Sequence, residues 1–150
     1  MRSSLIVVRL CMSFLIAIAV FGAARPARAE QAGAVGRYIL VDVSDQRIYA
    51  YSGGQLALSA RVNVRGIRAG TFRVQNKIAA APSIYRGWTL PYWMGIYYVG
   101  KVQNGIHGPE MLRGGGYAYN SLGCVVILSM DAAARLYRWA GVGTTVIVRR

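Results

Sequence analysis

The side chains best suited to covalent chemistry in this sequence are one histidine and one cysteine. His107 is the only histidine, and Cys124 follows it 17 residues later, each beside a glycine-rich stretch. A thiolate is the nucleophilic form of cysteine, and a nearby imidazole can accept its proton, so the two residues suffice for covalent catalysis. Spacing alone leaves a plainer alternative open, in which His107 is a hydrogen-bonded core residue and Cys124 a small buried apolar side chain.

The same residue types argue against a metal or an organic cofactor. Zinc takes three or four ligands, and apart from Cys11 near the N-terminus the chain has no second histidine or cysteine to supply them. The glycines at 114–116 are not followed by the Lys-Ser/Thr step of a phosphate-binding loop, and no βαβ pattern surrounds them. We therefore expect no metal and no cofactor, and a flexible loop at 113–116 beside the site.

The N-terminal segment has the three-part pattern of a secretory signal. Residues 1–9 carry two Arg, residues 10–24 are uncharged and apolar, and Ala27 and Ala29 are the small residues that precede a cleavage site. The apolar run is shorter than the roughly twenty residues that span a bilayer. The sequence predicts cleavage after Ala29, export to the periplasm or cell wall, and no stable membrane span afterwards. Cys11 would leave with the signal, so Cys124 would have no intramolecular disulfide partner.

Composition limits what the remaining chain can be. A length of 150 residues allows one globular domain, here 30–150, and 55% hydrophobic against 15% charged residues excludes a disordered chain. Four Arg leave with the signal, so 14 basic and five acidic residues give the mature chain a net charge of +9. Such a charge favours an anionic partner such as nucleic acid, acidic lipid or a cell-wall polymer, and the charge alone does not choose among them. Export and the dispersed arginines argue against nucleic acid.

Alternation of apolar and polar residues predicts a chain that is mainly β. The stretch at 75–87 lacks periodicity and is expected to be irregular, Ser129 is a plausible N-cap for a short helix over 132–140, and Gly141 would end that helix. The predicted strands lie at 38–43, 47–51, 55–64, 71–74, 90–99, 102–107, 124–128 and 144–148.

Two segments around the His and the Cys resemble the active-site signature of a known family. They are Asn104-Gly105-Ile106-His107-Gly108 and Ser121-Leu122-Gly123-Cys124-Val125-Val126, and they resemble the His-Gly and Ser-x-Gly-Cys segments of the L,D-transpeptidase catalytic domain (YkuD-like) family. The resemblance extends in the same order over 37–148, through the family's opening hairpin, its Gly-x-Phe loop and its closing strand. It implies a single-domain, β-sandwich-like catalytic fold with one short helix near the C-terminus.

The resemblance also implies roles for individual residues. Cys124 would attack the carbonyl that follows an L-residue in a peptidoglycan stem peptide, giving a thioester and releasing the terminal D-residue. His107 would move the proton, the carbonyl of Gly108 would orient the imidazole, and the N–H groups of Gly123 and Cys124 would form an oxyanion hole. The acceptor would be the amine of a second stem peptide or of a protein, whereas water would give L,D-carboxypeptidase activity.

Two positions depart from the family pattern. Leu122 stands where a second histidine is common, and Val126 stands where an arginine is common. An arginine at the latter position could hold a substrate carboxylate, and Arg113, in the loop before Cys124, is the candidate to replace it. Ser121 is expected to hydrogen-bond within the Cys124 loop. Tyr92 is the aromatic residue expected to face the substrate cleft.

These departures leave other functions open. One is a catalytically impaired protein that binds peptidoglycan without turning it over, in which the two replacements mark relaxed active-site chemistry. Another is a sortase-like cysteine transpeptidase, which would need an arginine aligned with the cysteine that is not visible here. Reactivity of the thiol separates an active site from an inert structural cysteine.

Overall fold

The computed structural model describes residues 36–84 and 87–150, and the predicted secretory segment at 1–29 lies outside them. The described part contains eleven strands and one helix. The strands are β1 Arg37–Asp42, β2 Arg47–Ser52, β3 Gln55–Val64, β4 Gly70–Arg73, β5 Asn76–Pro82, β6 Thr89–Val99, β7 Val102–His107, β8 Glu110–Met111, β9 Tyr117–Ala118, β10 Val125–Ile127 and β11 Thr145–Arg149; the helix is α1 Met130–Trp139. The mainly β prediction with one short C-terminal helix is confirmed.

The strands form one hydrogen-bonded path that is open at both ends. Their order is β4-β11-β1-β2-β3-β10-β7-β6-β8-β9, and β5 pairs with β6 beside that path. The ten-residue β3 joins the two halves, because it pairs with β2 over most of its length and with β10 near its end. Apolar residues from both halves pack with α1 into a single core. β7 ends at His107 and β10 begins directly after Cys124, and these two strands run parallel in the second half.

One strand contradicts the sequence-based expectation, because 75–87 was predicted to be irregular and contains β5. Of its seven residues only Ala81 is buried, so the strand has no apolar alternation to reveal it. Hydrogen bonding to β6 holds it in place, and Lys77 Nζ donates to the carbonyls of Tyr137 and Ala140, each at 2.6 Å. A cation at these last carbonyls stabilises the C-terminal end of α1.

The helix α1 has the N-cap residue that the sequence predicts. Ser129 Oγ accepts the N–H of Ala132 at 3.2 Å, which confirms the predicted N-cap, although α1 starts at Met130 and ends at Trp139, a little before the predicted range. The buried Ala133 faces Gly108, where an added Cβ would stand 3.2 Å from the Ala133 Cβ. The small residues at both positions let the helix approach the chain immediately after His107.

Candidate active site

His107 is the last residue of β7 and lies inside the protein, with 2% of its surface exposed. Its Nδ1 is 2.7 Å from the carbonyl oxygen of Gly108, and the Trp93 ring stacks on the imidazole with centroids 5.9 Å apart. Because a carbonyl oxygen only accepts hydrogen bonds, Nδ1 carries the ring proton and Nε2 keeps its lone pair. The arrangement therefore presents a histidine whose second nitrogen is ready to accept a proton.

Burial sets the protonation state of His107. It lowers the pKa of the imidazole from 6.5 to about 4, and the hydrogen bond to Gly108 opposes that shift only in part. The imidazole is neutral at physiological pH and is available as a base.

Cys124 immediately precedes β10, in the segment that continues alongside β7. The parallel register pairs Val125 with Ile106, which places Cys124 beside Gly105, and the Gly105 backbone hydrogen-bonds the thiol. His107 and Cys124 both line one cavity of about 310 Å³. The fold thus brings together the two residues that the sequence singled out.

The thiol of Cys124 is protonated at rest. Burial raises its pKa and the nearby carboxylate of Glu110 raises it further, while the Gly105 hydrogen bond acts in the opposite direction. With a neutral imidazole in the same cavity, the resting pair is a thiol and a free base and not a thiolate–imidazolium ion pair. A nucleophilic reaction of this thiol would therefore require proton transfer during attack.

The cavity has apolar walls and a few polar groups. Lys101 and Glu110 are its charged lining residues, and Leu122 stands at its edge with 66% of its surface exposed. The remaining lining residues are Ile78, Ala81, Pro82, Ser83, Ile84, Leu90, Trp93, Tyr98, Val102, Gln103, Asn104 and Asn120, together with His107 and Cys124. Such a site suits a ligand with both apolar and charged parts.

Hydrogen bonds fix the loop that presents Cys124. Ser121 Oγ donates to the Cys124 carbonyl at 2.6 Å and accepts the Arg65 N–H at 2.9 Å, so Ser121 bonds within the loop as expected. Gly123, at φ +104°, donates its N–H to the Arg65 carbonyl at 3.0 Å. That N–H is therefore occupied, and the geometry does not support the oxyanion-hole role predicted for it. Within residues 36–84 and 87–150 no acceptor binds the Cys124 N–H.

Two predicted substrate-binding residues lie away from the cavity. Tyr92 packs against the core, with its ring 5.7 Å from that of Tyr137 on α1, so the expectation that it faces the cleft is wrong. Arg113 is exposed in the glycine-rich loop and is not among the residues that line the cavity. Val126 is fully buried, where an unpartnered guanidinium would be costly.

Sequence reasoning missed three residues that contact or line the site. Asn104 is buried with Oδ1 3.9 Å from Cys124 Sγ, and its amide packs against Gly123. Trp93 covers the imidazole, and Glu110 lines the cavity. The sequence did contain a signal for two of these residues, because Asn104 stands in the His-Gly segment and Glu110 is one of only five acidic residues. Nothing in the alternation of β6 distinguished Trp93 from its aromatic neighbours.

Gly105 gives a direct test of how tightly this site is packed. An added Cβ would stand 2.6 Å from the Met94 carbonyl oxygen and 2.8 Å from the Trp93 ring, so Gly105→Ala is expected to lower the free energy of unfolding by about 3 kcal/mol. Gly114→Ala is the matched control, because nothing lies within 4 Å of its Cβ, and a change under about 1 kcal/mol is expected. Urea unfolding measures both variants. Equal stabilities would show that the Met94 backbone and the Trp93 ring move aside easily.

The described residues contain no cluster of three His, Cys, Asp or Glu side chains able to hold a metal ion. Within the same ranges no helix is long and apolar enough to cross a membrane.

Comparison with solved structures shows several L,D-transpeptidases of the same fold. A cysteine-to-serine mutant of the Enterococcus faecium L,D-transpeptidase matches with 25% identity and a TM-score of 0.61, over 76% of this chain and 50% of that one. The catalytic domain of the E. faecium enzyme matches with 26% identity and a TM-score of 0.57, over 75% and 96%. An L,D-transpeptidase from Mycobacterium smegmatis shares the fold at 21% identity, with a TM-score of 0.61 over 76% and 58%.

Among these, this chain spans about half the length of the longer E. faecium structure, and it covers nearly all of the isolated catalytic domain. No curated protein was found to match the sequence. The model of the YkuD family, described as the L,D-transpeptidase catalytic domain, matches residues 36–148, which include β1 through β10, α1, His107 and Cys124. With the fold and the sequence in agreement, the chain belongs to the YkuD L,D-transpeptidase catalytic domain family.

Proposed function

We propose that this protein is a peptidoglycan L,D-transpeptidase that works through a thioester on Cys124. The observation that carries the proposal is that His107, the last residue of β7, and Cys124, directly before the neighbouring parallel strand β10, line one cavity, with the imidazole held by Gly108 so that Nε2 can accept a proton. Family membership supports the reaction class, and the geometry supports the assignment of nucleophile and base.

In the first half-reaction Cys124 Sγ attacks the carbonyl that follows an L-residue of the donor stem. His107 Nε2 takes the thiol proton as the C–S bond forms, and the Cys124 N–H, which binds no acceptor among the described residues, would donate to the developing oxyanion. When the C–N bond breaks, His107 returns that proton to the amine of the departing D-residue. A thioester and a free D-amino acid or peptide result.

In the second half-reaction an amine attacks the thioester. His107 takes a proton from the amine, the new amide forms, and the proton returns to the Cys124 sulfur as the C–S bond breaks. The amine of a second stem peptide gives a cross-link in the cell wall, a protein amine gives an attached protein, and water gives carboxypeptidase activity. None of these steps draws on a cofactor.

The proposed site of action is outside the cytoplasm. The pattern of residues 1–29 favours export and cleavage, and the charge of +9 that remains attracts the protein to anionic wall polymers in the periplasm or cell wall. Peptidoglycan stem peptides are the proposed partners, and cross-linking them would contribute to wall organisation and cell shape.

A peptidoglycan-binding protein with little catalytic activity is the second candidate. The observation that favours it is the resting state of Cys124, whose pKa is raised by burial, together with Leu122 and Val126 at positions where the family commonly has polar side chains. Such a protein would use the same cavity to hold stem peptides without breaking them.

Product analysis separates the two functions. The protein is incubated with a tetrapeptide stem that ends in a D-residue, with and without a second stem as acceptor, and the products are identified by mass spectrometry. An L,D-transpeptidase releases the terminal D-residue and forms a cross-link only when the acceptor is present. Release without a cross-link would indicate a carboxypeptidase, and binding of the stem with neither product would favour the binding protein.

A further inference from the structure

A second cavity, of about 440 Å³, adjoins the one that holds Cys124 and His107. Val102, Asn104 and Leu122 line both cavities, so these three side chains form the boundary between them. The second cavity is also lined by Arg65, Gly66, Val99, Ser121 and Gly123. Arg65 is the charged residue of this lining, whereas the first cavity carries Lys101 and Glu110.

The backbone of Arg65 is bound to the loop that presents the nucleophile. Its N–H donates to Ser121 Oγ at 2.9 Å and its carbonyl accepts the Gly123 N–H at 3.0 Å. A Cβ on the next residue, Gly66, would stand 3.9 Å from the Gly123 nitrogen, so the two chain segments lie in contact. The backbone that carries the exposed Arg65 guanidinium is therefore fixed relative to Cys124.

The chemistry of transpeptidation indicates which part of the substrate each cavity holds. The departing amine and the attacking amine both exchange a proton with His107, which lines only the first cavity, so both belong on that side. The acyl half of the donor stays attached to Cys124 through both steps. Cys124 also lines only the first cavity, so the thioester itself forms there. The rest of the acyl half must leave the amine path open, and past Asn104 and Leu122, which line both cavities, it can extend into the second cavity beside Gly123.

We propose that Arg65 binds a carboxylate on the acyl half of the donor stem, in the second cavity, and so selects acidic over amidated donors. The inference rests on the proposed function, because it assumes a stem-peptide thioester on Cys124. Arginine suits this role, since its guanidinium binds a carboxylate through two parallel hydrogen bonds. Arg65 would thus supply the carboxylate recognition that Val126 cannot, at a position that lines the second cavity, whereas Arg113 lines neither cavity.

The test compares two donor tetrapeptides that differ only at one acyl-half group, a free carboxylate in one and a carboxamide in the other. Acylation of Cys124 in the full protein is followed by mass spectrometry and expressed as kcat/KM. For the wild type we expect a preference of about tenfold for the acid, since a charge-assisted hydrogen bond is worth roughly one decade or more in affinity. Arg65→Gln should abolish this preference by slowing only the acid, and Arg65→Lys should retain part of it.

Arg61→Gln is the matched control, because Arg61 is an exposed arginine of β3 that lines neither cavity; it should keep the full preference. Thermal unfolding verifies that each variant is folded. The inference is overturned if the wild type shows no preference, if Arg65→Gln slows both donors equally, or if Lys101→Gln abolishes the preference in place of Arg65→Gln. Failure of the wild type to acylate with either donor would instead overturn the proposed function, and the inference with it.

Discussion

Exposure of the purified protein to a carbapenem is expected to add one inhibitor mass per chain, and Cys124→Ala is expected to show no addition. A carbapenem is a β-lactam acylating agent, so the thiol would open its ring and retain it as a thioester. Cys124 is the sole cysteine among the described residues, and it is only partly buried in a cavity that a small molecule can enter. Intact mass spectrometry measures the adduct and its stoichiometry.

His107→Ala should form the same adduct about 10²–10⁴-fold more slowly, because a positioned general base contributes that much to proton transfer. Since burial raises the pKa of the Cys124 thiol, little thiolate is present without the base. Arg61→Gln is the control for effects of a substitution away from the site, because the Arg61 side chain does not line the cavity. Absence of an adduct from folded wild type would favour the peptidoglycan-binding protein, and an unchanged rate for His107→Ala would remove the imidazole from the mechanism.

Much of the strand framework follows from residue alternation. β3 and β7 have the predicted bounds, and β1, β2 and β6 differ from the predicted bounds by no more than one residue at an end. β2 and β3 alternate buried and more exposed positions over most of their length, and β1 and β6 are rich in large apolar residues. β5 could not be found in this way, since only one of its side chains is buried and its position depends on hydrogen bonds to β6, which the periodicity of its own residues does not reveal.

In the candidate site, too, the sequence identifies some residues and does not reveal others. The residue types and the flanking glycines identified His107 and Cys124, because rare reactive side chains stand out in a sequence. Which neighbours face them depends on side-chain direction and on loop hydrogen bonds, and neither is visible in a one-dimensional pattern. Tyr92 adopts φ +59° and turns towards α1, and the Gly123 N–H is taken by Arg65, a residue 58 positions earlier in the chain.

The pH dependence of acylation is expected to distinguish general-base catalysis from a preformed ion pair. His107 must be neutral to accept the thiol proton, and its pKa is lowered to about 4. The wild-type rate should therefore be nearly constant from about pH 5 to about pH 8 and should fall as the pH decreases through about 4, where the imidazole becomes protonated. Rates of carbapenem adduct formation across this range, at pH values where circular dichroism shows the native fold, give the profile.

His107→Ala supplies the contrasting profile. Without the base, the reaction depends on the small fraction of Cys124 that ionises unaided, so its rate should rise about tenfold per pH unit throughout the range in which the wild-type rate is constant. The difference between the two proteins should thus be largest near the acid end of the plateau and decrease towards alkaline pH. A wild-type rate that falls already at the ordinary histidine pKa of 6.5 would mean that the imidazole is hydrated when the protein is free, and a flat His107→Ala profile would mean that another group takes the proton. Both expected profiles follow from the burial of Cys124 and His107 in one cavity. If each protein shows its expected profile, the protonated thiol and the neutral imidazole belong to the same enclosed site.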